Sequence, residues 1–89
     1  MNTAQKIKWV KEYLEKAMTK MSKLQDKEEY SVEMIEFYKE ENRNIDLLLS
    51  YHEDLLLTGV LDKNKLLKEY MGNAVNLLRD KKFIYDNFA

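Results

Sequence analysis

Apolar residues recur along this chain in steps of three and four, and they do so in three separate runs. The first comprises Ile7, Val10, Leu14, Ala17, Met21 and Leu24. The second runs through Ile35, Tyr38, Asn42, Ile45, Leu49, His52 and Leu56, and the third through Leu67, Met71, Ala74, Leu78, Lys81, Tyr85 and Phe88. Steps of three and four gather side chains on one face of an α-helix, so each run predicts a helix with a single buried seam. The spacing predicts helices over residues 3–26, 32–58 and 63–87.

The residues between the runs are those that start and stop helices. Asn2 or Thr3 can cap the first helix, and Asn2 with Gln5 approximates a capping box. The apolar pattern lapses over residues 25–29, which predicts the first connection. Ser31 reads as the next N-cap, with Tyr30 placed to staple onto Ile35. Gly59 suits the left-handed position after a helix, with Val60 folding back on Leu55 as in a Schellman motif. Asp62 reads as the third cap, with Leu61 and Leu66 as its staple. Short connections make successive helices antiparallel, so the chain predicts one all-α domain over residues 1–89, an up-down-up three-helix bundle. Proline is absent and glycine occurs twice, which excludes a turn-rich β fold.

Charge sharpens this picture. Residues 1–27 carry seven Lys against three acids, residues 28–62 carry ten acids against two bases, and residues 63–89 carry six bases against three acids. An acidic middle helix between two basic ones favours the bundle pairing, although each exposed ion pair contributes only a few tenths of a kcal/mol. Hydrophobic residues make up 45% and charged residues 35%, which is too apolar for disorder. Without cysteine there is no disulfide framework or thiolate chemistry. The first ten residues are charged and lack a signal core, and the leucine-rich stretch 47–57 is broken by Ser50, His52, Glu53 and Asp54. No membrane span or membrane partner is expected, and the expected location is cytoplasmic. The wealth of Lys, Asn, Glu and Tyr is the style of an AT-rich genome, such as that of a low-GC bacterium or its phage.

Catalytic chemistry is poorly supplied. His52 is the only histidine, and Leu48, Leu49, Leu55 and Leu56 surround it one turn away, so it reads as a core histidine rather than a general base. Di-iron bundles use Glu-x-x-His pairs, but here Leu49 stands three residues before His52, and Glu53 and Asp54 point away from it. Gly59 and Gly72 are isolated, so there is no phosphate-cradling loop. The run 41–48 superficially resembles the first helix of AroQ-type chorismate mutases. That family holds two carboxylates in a pocket of several Arg and Lys, whereas this chain has two arginines, Arg43 and Arg79, and its long helix comes second. The sequence therefore predicts no enzyme, no cofactor and no metal site.

Binding surfaces are better supplied. Two leucine triplets, Leu47-Leu48-Leu49 and Leu55-Leu56-Leu57, each fan over about 200° of the second helix, more than a three-helix bundle covers. Leu47, Tyr51 and Leu55 stand four apart and predict an apolar ridge. Asn42, on the seam, is a candidate for fixing register or oligomeric state. On the third helix Lys65, Lys68, Gly72, Asn76 and Arg79 form a basic face whose glycine lets another backbone approach. These eight residues, the ridge and the basic face together, are the expected protein-binding set. The ridge could also serve a homodimer. The alternative is nucleic acid held by Lys16, Lys20, Lys23 and Lys27, with Trp9 and Tyr13 upstream on the same stripe. A net charge of −1 and a pI of about 5.8 count against it. Packing expectations place Trp9 near Leu57 and Leu61, and Phe83, Tyr85 and Phe88 near Tyr30, Met34 and Met21. The function expected is that of a small non-enzymatic inhibitor or regulator, comparable in size and class to phage- or plasmid-encoded anti-defence proteins such as anti-CRISPRs.

Overall fold

A computed structural model describes residues 1–24, 27 and 31–87. Three long helices form an all-α bundle: α1 over Thr3–Lys23, α2 over Val32–Thr58 and α3 over Lys65–Asp86, with a 3-10 turn at Val60–Lys63. Among the described residues there is no strand. The longest dimension, 39 Å, is the length of α2, whose 27 residues rise about 1.5 Å each.

The caps show why the elements start and stop where they do. Asn2 and Gln5 form a reciprocal capping box, with Asn2 Oδ1 accepting from the Gln5 amide at 2.8 Å and Gln5 Oε1 accepting from the Asn2 amide at 2.9 Å. Ser31 Oγ accepts from the Met34 amide at the start of α2. Gly59 ends α2 at φ 71°, a conformation in which a Cβ is strained. The expected Schellman pair is half present. The Gly59 amide bonds to the Leu56 carbonyl, but Thr58 Oγ1 intercepts the second bond by donating to the Leu55 carbonyl and accepting from the Val60 amide. The third cap is Asn64, not Asp62. Asp62 lies inside the 3-10 turn, and Asn64 Oδ1 accepts from the Leu67 amide, so α3 begins two residues later than expected. Leu66 is 80% exposed and staples nothing. The α1 helix ends at Lys23; residues 25, 26, 30 and 88, on which other expectations fell, lie outside the described residues.

Side-chain contacts fix the topology. Lys6 pairs with Asp54 and Lys20 with Glu41, so α1 and α2 run antiparallel. Asp46 pairs with Lys82 and Tyr38 stacks on Tyr85, so α2 and α3 do too. In all of these ion pairs the acid belongs to α2, as the charge partition predicted. The core is built from Val10, Leu14 and Ala17 of α1, Ile45, Leu48 and Leu55 of α2, and Met71, Val75 and Leu78 of α3, closed at one end by Leu61 from the 3-10 turn.

The seam of α1 matches the sequence reading. The seam of α2 keeps Tyr38, Ile45 and His52 where expected, but its alternate positions move back by one residue, from Asn42, Leu49 and Leu56 to Glu41, Leu48 and Leu55, and Phe37 joins them. Asn42 is therefore exposed rather than on the seam, Leu49 is half-buried and Leu56 is 44% exposed. Trp9 packs on Tyr13 and against the edge of Tyr51, not on the exposed Leu57. Tyr85 is buried against Tyr38, whereas Phe83 is 71% exposed. Among the described residues, no helix is long and apolar enough to cross a membrane.

Candidate interaction surfaces

The most elaborate side-chain chemistry lies between α1 and α2. Glu41 occupies a seam position of α2, three residues after Tyr38 and four before Ile45, so its carboxylate is drawn into the bundle and is 7% exposed. Three donors meet it there. Lys20 Nζ donates to Oε1 at 2.7 Å, and Tyr13 Oη and Asn44 Nδ2 donate to Oε2 at 3.2 and 3.0 Å. Burial alone pushes this carboxyl upward, but the bonds from Lys20, Asn44 and Tyr13 outweigh it and hold the group below the usual carboxylate range. In return the Lys20 ammonium is held above its ordinary value by its bond to Glu41. Tyr13 is pushed far up by burial and by the adjacent Glu41 charge. Above this network is an open cleft of about 340 Å³, walled by Trp9 and Tyr13 and rimmed by Glu12 and Lys16. Its lining carries two cationic and two anionic side chains, so its charge selects neither sign of ligand. The network does the work of a buried polar anchor between two helices.

This anchoring dismantles much of the predicted basic stripe. Lys20 is bound to Glu41, and Lys27 lies 3.9 Å from Glu33. Lys16 and Lys23 remain exposed on α1, while Trp9 is half-buried and its ring is stacked at 5.1 Å on Tyr13. On α3 the predicted basic face does exist. Lys65, Lys68, Asn76 and Arg79 are exposed, Lys68 pairs with Asp62 at 2.6 Å, and Arg79 lies 3.9 Å from Asp80. A Cβ on Gly72 would meet nothing within 4 Å, so no packing within the chain requires a glycine there.

The predicted ridge on α2 does not form. Leu55 is 1% exposed and belongs to the core, because the displaced seam takes it inward. Tyr51 is half-buried against Trp9, and Leu47 is left at 38% exposure among Arg43, Asn44 and Ser50 one turn away. Leu56 and Leu57 are exposed on α2 at 44% and 80%, but among the described residues the longest run of exposed apolar side chains at helical spacing is on α3. Leu66, Tyr70 and Leu77 are 80%, 43% and 42% exposed. At about 100° per residue they fall within roughly 40° of one another on the helix. With Asn73 they make a 4-3-4 spacing, a second seam beside the one that faces the core. That spacing was present in the sequence and was hidden by the stronger core seam.

His52 is 8% exposed, and its Nε2 has no hydrogen-bond partner among the described residues. Burial, with a smaller contribution from the Arg79 charge, holds it below its ordinary value, so it sits neutral in the core. Among the described residues, no three His, Asp or Glu side chains gather into a metal-binding group. Comparison of the chain with protein-family models, with curated proteins and with solved structures finds no match.

Proposed function

We propose that this chain is a non-enzymatic binding module that acts by docking onto a protein, and that the docking face is the outer seam of α3. The observation that carries this is the alignment of Leu66, Tyr70 and Leu77, at 80%, 43% and 42% exposure, along one stripe of a helix whose other seam already serves the core. Exposed apolar side chains gathered on one helix face, here with Asn73 between Tyr70 and Leu77, mark an interaction site more often than singly scattered ones do. The buried polar groups give no support to catalysis. Glu41 is fully engaged by Tyr13, Lys20 and Asn44, and His52 is buried at 8% exposure. A regulator or inhibitor that occupies a surface of its target in the cytoplasm, as small phage- or plasmid-encoded anti-defence proteins do, suits this arrangement.

The reading is tested by site-specific photocrosslinking. A benzophenone side chain at Tyr70 should give a discrete protein adduct in extract of the source cells, and one at Ser50 should not. Equal labelling from both positions would remove the argument. The nucleic-acid reading predicts a salt-sensitive gel shift lost on changing Lys16 and Lys23 to Glu, because neutralised phosphates release counterions. With Lys20 and Lys27 already paired to carboxylates, no shift is expected at micromolar protein.

A further inference from the structure

The cleft above the Glu41 network is lined by residues of α1 and α2 alone, apart from the outer seam of α3. Its volume, about 340 Å³, falls at the lower end of the roughly 300–1,000 Å³ of small-molecule sites, so it suits a ligand of about nucleoside size. Trp9, half-buried and stacked on Tyr13, forms one wall. Lys20 and Asn44 bring hydrogen-bonding capacity that the bundle leaves unused. The Lys20 ammonium has three N–H groups and gives one to Glu41, and the Asn44 amide gives one of its two to the same carboxylate. Asn44 Oδ1 accepts no bond among the described residues. Glu41 therefore holds both side chains in place before a ligand enters.

What is left over decides the ligand. Lys20 retains two donors and Asn44 one, against the single amide acceptor of Asn44. The charges of the lining balance, so the part of the ligand that enters is neutral. A flat, neutral group with several acceptors and one donor matches that count. Adenine is such a group: its ring nitrogens accept and only its N6 amine donates, whereas guanine adds donors that find no acceptor here. We propose that the cleft binds the adenine ring of a nucleoside or nucleotide against Trp9, with the N6 amine donating to Asn44 Oδ1 and ring nitrogens accepting from Asn44 Nδ2 and Lys20 Nζ. An asparagine amide pairs with adenine through one donor and one acceptor, and an indole is a stacking platform for a base. The rim meets what leaves the cleft. Glu12 and Lys16 are exposed and make no ion pair among the described residues. The Glu12 carboxylate accepts from ribose hydroxyls, and the Lys16 ammonium pairs with a 5′-phosphate where there is one.

Trp9 is the sole tryptophan, so its indole N–H gives one isolated NMR signal that reports on the cleft. Adenosine added to the full chain up to about 5 mM should shift that signal saturably, with a dissociation constant below about 1 mM. Inosine, which has a carbonyl and an N–H where adenosine has its amine and N1, should bind at least about fivefold more weakly. Asn44→Ala should erase that preference with helicity by circular dichroism unchanged; the inosine comparison needs no variant and decides the same point if this one disturbs folding. Adenosine monophosphate binding more tightly than adenosine, by an advantage lost in Lys16→Gln, would mark the nucleotide as the ligand, and equal binding would mark the nucleoside. No saturable shift with either up to about 5 mM overturns the site. So does an equal response to adenosine, inosine and uridine, which would reduce it to unselective stacking on Trp9.

Discussion

The two interfaces made by α2 handle buried polarity in opposite ways. Against α1, the Glu41 carboxylate is surrounded by three donors and stays ionised. Toward the other side of the core, Tyr38 Oη and His52 Nε2 are buried with no hydrogen-bond partner among the described residues. A buried polar group that is fully bonded adds little net energy but is costly to disturb, whereas an unbonded one costs stability as it stands. One side of α2 is therefore fixed by its polar groups, and the other is held by apolar and aromatic packing in spite of them.

Changes at the fully buried leucines should have the largest effect and should be alike on the two sides. Leu14→Ala in α1 and Leu78→Ala in α3, both 0% exposed, should each lower the urea-unfolding free energy by about 2–5 kcal/mol. Next comes the anchor itself. Glu41→Ala leaves Tyr13 Oη and Asn44 without their acceptor and should cost about 1–3 kcal/mol in the same measurement. The tyrosines then separate the interfaces directly. Tyr13→Phe removes a hydrogen bond and should cost about 1 kcal/mol, while Tyr38→Phe removes an unpaired hydroxyl and should be neutral or stabilising. Equal losses at both would mean that the two sides are not different in kind.

The finest contrast is in pH. His52 is held below its ordinary 6.5, so the unfolded chain takes up a proton before the folded one. Its contribution is complete above 6.5 and is lost as pH falls through the interval below that value. Glu41, held below its ordinary 4.5, adds a separate loss at lower pH, where its carboxylate must be protonated. Urea midpoints between pH 7.5 and pH 5 should fall in the wild type, and in His52→Leu should be flat until the carboxylate range is reached. A wild-type midpoint that rises on acidification would contradict the burial of a neutral histidine.

How much of this was legible in the sequence depends on where each residue's partners lie. The seam of α1, the capping box of Asn2 and Gln5, the Ser31 cap and the left-handed Gly59 all depend on neighbours within a turn, and local reading finds them. The seam of α2 depends on distant neighbours. Each leucine triplet offers three equivalent choices, and the choice is made by Glu41 pointing inward, which is favourable only because Tyr13 and Lys20 arrive from another helix. A reader of the sequence assigns a glutamate to solvent, so every other seam position shifts by one, Tyr38, Ile45 and His52 stay in place, and Leu55 is mistaken for surface. Asp62 and Asn64 are equally good caps by composition, and the 3-10 turn decides between them. The outer seam of α3 could have been read from its spacing, but only subtraction of the core positions shows that it is left over.

The one buried side chain in the connection between α2 and α3 bears on the order in which the molecule comes apart. Leu61, 2% exposed, belongs to that connection and to the core at once, and the Thr58 hydroxyl stitches the preceding turn closed. The helical hairpin of α2 and α3 thus closes over a short loop at little entropic cost and behaves as one cooperative unit. The first helix joins that unit through its leucine seam and the Glu41 anchor. Its amide protons should accordingly exchange with solvent through a partial opening that leaves the hairpin intact, while those at the centre of α3 should wait for global unfolding, an order that native-state hydrogen exchange reads directly.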